Sequence, residues 1–243
     1  IQNLGTFTND RLITAEGHND IGIRLADRVV EQGTFEAGNN SSIEIGGGTN
    51  GIQLEDNATF TNGGMITIED VNYEGIEIAR EGEFNNNNNG YINIQGGDDG
   101  VRVDDNFTFT NRGILNVDGA IDIGITISGE FINDIDGEIN INQRFEETTS
   151  VGIVTYNSGV FENRRGTIRI GGLTRREAND ITRAIQAGNN ASFTNSQGGL
   201  IYIDAIPTNI SDIIALFGDA NFFNDRCSGI INLSEYEMRI EPS

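Results

Sequence analysis

The 243-residue chain contains no lysine and no tryptophan, and it has only two prolines, one histidine (His18) and one cysteine (Cys227). The single cysteine excludes a disulfide bond within the chain. No apolar run approaches the roughly 20 residues of a membrane-spanning helix, so we expect no insertion into a membrane. The first residue, Ile1, leads us to expect a piece of a longer chain, with any targeting signal outside it.

Positive charge is also scarce. The sequence has 15 arginines against 37 acidic residues, which gives a net charge of −22. A surface with this charge repels nucleic acid and anionic lipid, so we expect neither as a partner.

Turn-forming residues are abundant instead. The chain contains 32 glycines and 31 asparagines, which is typical of a protein with many tight turns. Hydrophobic residues make up 36% of the sequence and are spread evenly, so the chain can bury a core and general disorder is not expected.

A phenylalanine followed two positions later by an asparagine recurs along the whole chain at intervals of 22 to 32 residues. One repeat departs from this pattern and has Ala37 in place of the asparagine. The recurrent phenylalanines are Phe7, Phe35, Phe60, Phe84, Phe109, Phe131, Phe161, Phe193 and Phe222. The recurrent asparagines are Asn9, Asn62, Asn86, Asn111, Asn133, Asn163, Asn195 and Asn224.

Two further strand patterns follow each phenylalanine. The first is a couplet with period two, such as Ile66 and Ile68, which is typical of a β-strand. The second is a short strand that usually opens with glycine, as in Gly75-Ile76-Glu77-Ile78. Each repeat therefore carries three short strands and three corners.

Repeats of this length are too short for helical crossovers between parallel strands. We therefore predict an all-β fold, a parallel β-helix (β-solenoid) of about nine coils with three short strands in each. Coils about 4.8 Å apart would build a rod of roughly 40 Å. Parallel strands strongly favour right-handed crossovers, so we expect a right-handed solenoid.

Stacking gives the recurrent residues structural roles. Columns of phenylalanine and isoleucine fill the core, and a column of asparagines at an inward corner can pass side-chain hydrogen bonds from coil to coil. A ligand-binding role for the asparagine column is the alternative. We expect glycine at the start of the third strand because it relieves the constraint on φ at a corner.

These motifs resemble a known family. The segments Phe60-Thr61-Asn62-Gly63-Gly64-Met65-Ile66-Thr67-Ile68 and Gly75-Ile76-Glu77-Ile78 are similar to the right-handed β-helix repeats of large secreted bacterial surface proteins and adhesins. The resemblance covers essentially the whole chain. It implies an extracellular solenoid that acts as a stalk or an adhesive surface, and it supplies no catalytic motif.

The arginines suggest one candidate ligand site. Residues 141–184 hold seven arginines and five acids, whereas residues 1–140 hold six arginines and 25 acids. Longer connections between the second and third strands, at 142–151, 171–183 and 204–212, would lie side by side and form a ridge or cleft. Arginines there offer bidentate donors to carboxylated or sulfated sugars, or they pair with neighbouring acids on a solvated loop. The four candidates are Arg144, Arg175, Arg176 and Arg183.

Acidic residues crowd the corner before the phenylalanine column. Stacked carboxylates repel one another unless a cation bridges them or counterions screen them, and Ca²⁺ prefers oxygen ligands of this kind. The best candidate metal residues are Asp98 and Asp99, which lie in another corner, Gly96-Gly97-Asp98-Asp99-Gly100. We expect no other cofactor. The acidic positions at the corner before the phenylalanine column are Glu55, Asp56, Glu81, Glu83, Asp104 and Asp105.

The remaining reactive residues do not form a catalytic set. His18 and Cys227 lie eight coils apart, which excludes a Cys–His nucleophile. We therefore identify no catalytic residue and expect that the protein is not an enzyme.

The chain is predicted to form one solenoid domain over residues 1–243. Regular coils span 1–140, coils with longer corner loops span 141–220, and the last coil spans 221–243. We see no capping segment at either end, so we expect the domain to belong to a longer chain or to a filament.

These features predict an extracellular structural or adhesive solenoid, secreted or at a cell surface. It would act as a stalk, a fibre subunit or a segment of an adhesin. Expected partners are further copies of itself, stacked end to end, or a cell-surface or matrix polysaccharide. The alternative is a carbohydrate-active enzyme, either a polysaccharide lyase or a glycoside hydrolase.

Overall fold

A computed structural model describes residues 2–3, 6–17, 20–25, 33–79, 82–120, 122–142, 149–173, 181–205, 214–232 and 240–241. Within these ranges there is no helix, and the chain winds through three sheets in turn. Every strand pairs in parallel with strands of the same sheet, as in Phe84 beside Phe60 and Phe109. The predicted all-β parallel β-solenoid is therefore confirmed.

We name the three sheets after their characteristic residues. Strands of the phenylalanine sheet, as far as the described chain shows, are Thr6–Asn9, Thr34–Ala37, Ala58–Asn62, Gly82–Asn86, Phe107–Asn111, Glu130–Asn133, Val160–Arg164, Ser192–Ser196 and Asn221–Asn224. Those of the isoleucine sheet are Leu12–Glu16, Ser42–Gly46, Met65–Val71, Tyr91–Gly96, Ile114–Asp118, Glu138–Asn142, Thr167–Leu173, Leu200–Ala205 and Gly229–Asn232. Those of the glycine sheet are Gln2–Asn3, Ile21–Leu25, Asn50–Glu55, Glu74–Ala79, Asp99–Val103, Ile123–Ile127, Thr149–Thr155, Ile181–Gly188, Ile214–Phe217 and Ile240–Glu241.

The core fills the narrow space between the three sheets. Phenylalanine rings from Phe7 to Phe222 form one continuous stack, with 4.5–5.3 Å between neighbouring ring centroids. The isoleucine couplets, such as Ile66 and Ile68, are fully buried beside this stack. Inward and outward residues alternate along strands such as Ser42–Gly46 and Ala58–Asn62, as the period of two predicts.

A column of glycines runs along the start of the glycine-sheet strands. None of Gly51, Gly75, Gly100 and Gly124 has a positive φ, so the prediction that they relieve a constraint on φ is wrong. They are needed for space instead. A Cβ atom on Gly100 would lie 2.3 Å from Cγ1 of Val117 and 2.6 Å from the carbonyl oxygen of Gly124.

This steric constraint is testable by adding one methyl group. We expect Gly100→Ala to lower the free energy of unfolding by about 1–3 kcal/mol, because the neighbouring strand and Val117 must move. Gly46→Ala is the matched control, since the nearest atom to its new Cβ is Cγ of Glu16 at 3.7 Å. Urea unfolding of the two variants measures the difference. Equal stability of Gly100→Ala and the unmodified protein would contradict the steric account.

Candidate functional site

The recurrent asparagines form a hydrogen-bonded ladder inside the solenoid. From Asn62 to Asn224, each Nδ2 donates to Oδ1 of the asparagine in the next coil over 2.7–2.8 Å. The amides also donate to backbone carbonyls at the corner, as Asn133 does to Gly137 over 3.1 Å. Asn62 to Asn195 are buried, so these amides face the protein and not a ligand.

Ala37 interrupts this ladder near its start. Asn9, one coil earlier, bonds within its own turn: its Nδ2 donates to the carbonyl oxygen of Arg11, and its Oδ1 accepts from the backbone N–H of Arg11. The ladder therefore begins at Asn62, where Oδ1 accepts a bond from the backbone N–H of Gly64 over 3.1 Å.

The predicted arginine ridge falls mostly outside the described residues. Arg144, Arg175 and Arg176 lie outside them, and only Arg183 can be placed. Its Nη1 donates to Oε1 of Gln186 over 2.7 Å, and its guanidinium lies 5.0 Å from the ring centroid of Phe217. Arg183 thus packs along its own sheet, and a sugar-binding role for the four arginines stays a prediction.

The acidic corner before the phenylalanine column is partly neutralised by arginines. Nη2 of Arg24 lies 2.5 Å from Oε2 of Glu55, and Nε of Arg102 lies 3.0 Å from Oδ1 of Asp104. Glu81 and His18 lie outside the described residues, and Cys227 is exposed.

Carboxylates on the outer faces are generally separated by neutral neighbours. Glu83, for example, lies between Thr59 and Thr108 in the phenylalanine sheet. Among the paired residues of the described strands, Glu74 and Asp99 are the one acidic pair directly opposite each other. These two residues open neighbouring strands of the glycine sheet, immediately before its column of glycines.

Asn50, Glu74 and Asp99 each open a strand of the glycine sheet, and their side chains reach diagonally to the next strand of that sheet. Each one contacts the fourth residue of that next strand, so the contacts form a repeated polar network on the outer face. The contacts are Asn50 Nδ2 to Glu77 Oε2 at 2.7 Å, Glu74 Oε1 to Arg102 Nη1 at 3.6 Å, and Thr126 Oγ1 to Asp99 Oδ2 at 2.8 Å.

Two carboxyl groups in this network have raised pKa values. Burial raises the pKa of Asp99 to about 6, against the opposing effect of the hydrogen bond from Thr126. Burial also raises the pKa of Glu74, and the nearby charge of Glu77 adds to the effect while that of Arg102 opposes it. A carboxyl group that binds a proton near pH 6 can act as a general acid.

The two candidate metal residues do not share a ligand geometry. The side chain of Asp98 is exposed, whereas Oδ2 of Asp99 accepts the bond from Thr126. The described part of the chain contains no group of three or more His, Cys, Asp or Glu side chains that could hold a metal ion. Calcium at Asp98 and Asp99 stays a prediction.

No protein-family model, no curated protein and no solved structure matches this chain. The described residues also include no helix that is long and apolar enough to span a bilayer. The case for a function therefore depends on the geometry of the solenoid itself.

Sequence analysis missed the Glu74–Asp99 pair. Acidic residues are so frequent in this sequence that a single pair carries no signal. A signal does exist in the alignment of repeats, because Asn50, Glu74 and Asp99 all immediately precede the glycine of the third strand. The register of the strands is needed to show that two of them lie directly opposite each other.

The raised pKa of Asp99 predicts how stability depends on pH. The folded protein holds this proton up to about pH 6, whereas the unfolded chain releases it near the ordinary value of 3.8. The stability that Asp99 contributes is therefore fully present below about pH 4 and lost as the pH rises through 6. We expect Asp99→Asn to stabilise the protein at pH 8 by on the order of 2–3 kcal/mol, with little effect at pH 4.

Urea unfolding at the two pH values measures this effect. Asp105→Asn is the matched control, because Asp105 is exposed and its replacement should change stability by less than about 0.5 kcal/mol at either pH. If Asp99→Asn raised the free energy of unfolding equally at pH 4 and pH 8, Asp99 would not be protonated in the folded state.

Proposed function

We propose that this chain is a structural and adhesive segment of an extracellular protein, secreted or held at a cell surface. The observation that carries the proposal is the unbroken stacking of like residues along the solenoid. The phenylalanine stack runs from Phe7 to Phe222 with no step larger than 5.3 Å. Such a column gives stiffness along one axis, which a stalk or a fibre needs.

The outer surface is compatible with this role. A net charge of −22 keeps rods apart sideways, because the acidic faces repel one another. Contact along the axis involves the ends of the ladders and not the acidic faces. A further coil, from the same chain or from a second copy, would continue the phenylalanine stack at Phe222.

Two kinds of partner fit this proposal. Copies of the chain would stack end to end, or a cell-surface or matrix polysaccharide would lie along the rod. The resemblance to the β-helix repeats of bacterial surface proteins supports both. Calcium would act in this setting by bridging stacked carboxylates, and no other cofactor is proposed.

A carbohydrate-active enzyme is the second candidate. The observation that favours it is the Glu74–Asp99 pair, in which burial raises both pKa values and brings that of Asp99 to about 6. A polysaccharide lyase or a glycoside hydrolase needs such groups for proton transfer. The structural role ranks first because it accounts for every coil of the solenoid, whereas the pair occupies two neighbouring strands.

Electron microscopy of the purified chain, with and without a calcium chelator, tests the structural proposal. We expect filaments with segments of about 40 Å, or single rods that bind a polysaccharide without cleaving it. Fibres that dissolve in the chelator would identify the acidic corners as cation sites. Release of reducing ends or unsaturated products, abolished by Asp99→Asn, would instead establish the enzyme.

Two variants separate axial stacking from other association. Ile230 packs half-buried against the core in the last described strand of the isoleucine sheet, so Ile230→Asp places a charge on that end of the rod. Phe223 points outward in the same coil and is 58% exposed, which makes Phe223→Asp the matched control. Filaments that survive Ile230→Asp as well as they survive Phe223→Asp would contradict end-to-end stacking.

A further inference from the structure

The corner between the glycine sheet and the phenylalanine sheet contains a groove of about 590 Å³. It arises because neighbouring turns at this corner differ in length. Residues 104–106 form the turn on one side, residues 128–129 form the middle turn, and residues 156–159 form the turn on the other side. The two-residue turn is recessed between its longer neighbours, and this recess is the groove.

The floor of the groove is held rigidly. The backbone N–H groups of Ser128 and Gly129 both donate to the carbonyl oxygen of Val103, over 2.8 and 3.2 Å. Gly129 lies flat against the turn below, because a Cβ atom there would be only 2.2 Å from the carbonyl oxygen of Asp104. The position of the floor is therefore fixed by backbone contacts.

The walls are held by turns in the left-handed conformation. Asn106 has a φ of 69°, and Asn157 and Ser158 have φ values of 50° and 69°. Asparagine adopts this conformation more readily than most residues, so the sequence of the two longer turns suits their shape. The backbone N–H of Ser158 donates to the carbonyl oxygen of Asn189, which ties the upper wall to the next coil.

The groove presents side chains that donate hydrogen bonds and side chains that accept them. Thr108 Oγ1 donates to Oε2 of Glu130 over 3.3 Å. The other polar side chains on the two walls are exposed and make no hydrogen bond with the described residues, so they are available to a ligand. The walls carry Asp105, Asn106, Asn157 and Ser158, whereas Thr108 and Glu130 line the groove from the strands that follow the turns.

The chemistry of these groups selects a class of ligand. Carboxylates accept hydrogen bonds, amides both donate and accept them, and sugar hydroxyls do the same. No arginine or histidine lines the groove, so an acidic sugar or a phosphate would meet two uncompensated carboxylates. The two carboxylates are also too few for a metal site, since the described residues hold no group of three ligating side chains.

We propose that this groove binds an uncharged sugar residue of a polysaccharide. Its volume lies within the range of about 300–1,000 Å³ that is usual for ligand sites, and it is open to solvent. The inference rests on the proposed adhesive function and names the site and the ligand class for it. This site is distinct from the arginine ridge, which would take acidic sugars.

Two substitutions remove groups that line the groove without disturbing the turns. Asn157→Gly deletes an amide at a position whose φ of 50° glycine adopts freely, and Glu130→Ala deletes a carboxylate from the middle of the groove. The matched controls are Asn57→Gly, at an exposed turn position with a φ of 60°, and Glu36→Ala, at an exposed position on the same sheet. Neither control residue lines the groove.

Isothermal titration calorimetry with short oligosaccharides of neutral glucan, mannan, galactan and xylan tests the proposal, with polygalacturonate fragments as the acidic comparison. We expect at least one neutral oligosaccharide to bind. The double variant Asn157→Gly/Glu130→Ala should lower its affinity about tenfold or more, while the double control stays within about twofold. Loss of affinity in both double variants would indicate a general effect and overturn the assignment.

The remaining outcomes separate this inference from the proposed function. Binding of acidic fragments alone, or neutral binding that the groove variant retains, would overturn the groove and leave an adhesive role in place. A chain that binds no saccharide but forms filaments would overturn the groove and support the fibre. Absence of both binding and filaments would contradict the proposed function itself.

Discussion

Parallel strands in register impose one constraint on this protein: each side chain lies directly above and below its counterpart in the neighbouring coils, about 4.8 Å away. Only some chemical groups tolerate such a neighbour of their own kind. A phenylalanine ring stacks on another ring, and a primary amide donates to the next amide while it accepts from the previous one. These two groups accordingly form the continuous columns from Phe7 to Phe222 and from Asn62 to Asn224, which are buried along their middle coils.

The same constraint shapes the outer surface, because carboxylates repel their own kind at this spacing. Most acids in the paired, described strands therefore have neutral neighbours: Glu36 lies between Thr8 and Thr61, and Glu44 lies between Thr14 and Thr67. This separation lets a chain with a net charge of −22 fold into a regular rod.

Glu74 and Asp99 break the rule of separated acids. They lie opposite each other at the start of two strands, and burial raises both pKa values. Some stability is lost above pH 6 as a result. A site that costs stability in an otherwise regular repeat is where a proton-dependent activity would be located, which is why the enzyme remains the second candidate.

The repeats in the sequence were enough to predict the strands, the three-sided coil and the two ladders. The spacing alone fixes which residues stack, so the sequence is enough to place Phe84 in the phenylalanine column and Asn86 in the asparagine column. The role of the glycines could not be predicted from the sequence, because the close approach of Val117 to Gly100 depends on how two sheets meet at a corner.

The candidate sites were much harder to predict from the sequence. The shortest repeat, from Phe109 to Phe131, marks the coil that holds the groove, but the recess exists only because both neighbouring turns are longer. The arginine ridge was suggested by composition, and the one arginine that can be placed, Arg183, packs against Gln186 and Phe217. Local spacing predicts stacking within a column, whereas sites depend on differences between coils.

The most direct test of this account measures hydrogen exchange at the side-chain amides of the asparagines by NMR. Buried ladder amides, such as those of Asn111 and Asn163, should exchange only when the solenoid opens, because each is bonded to the next coil. Asn157 is exposed at a turn and serves as the reference for rapid exchange. Slow exchange confined to the ladder would support in-register stacking, and exchange of Asn111 as fast as that of Asn157 would contradict it.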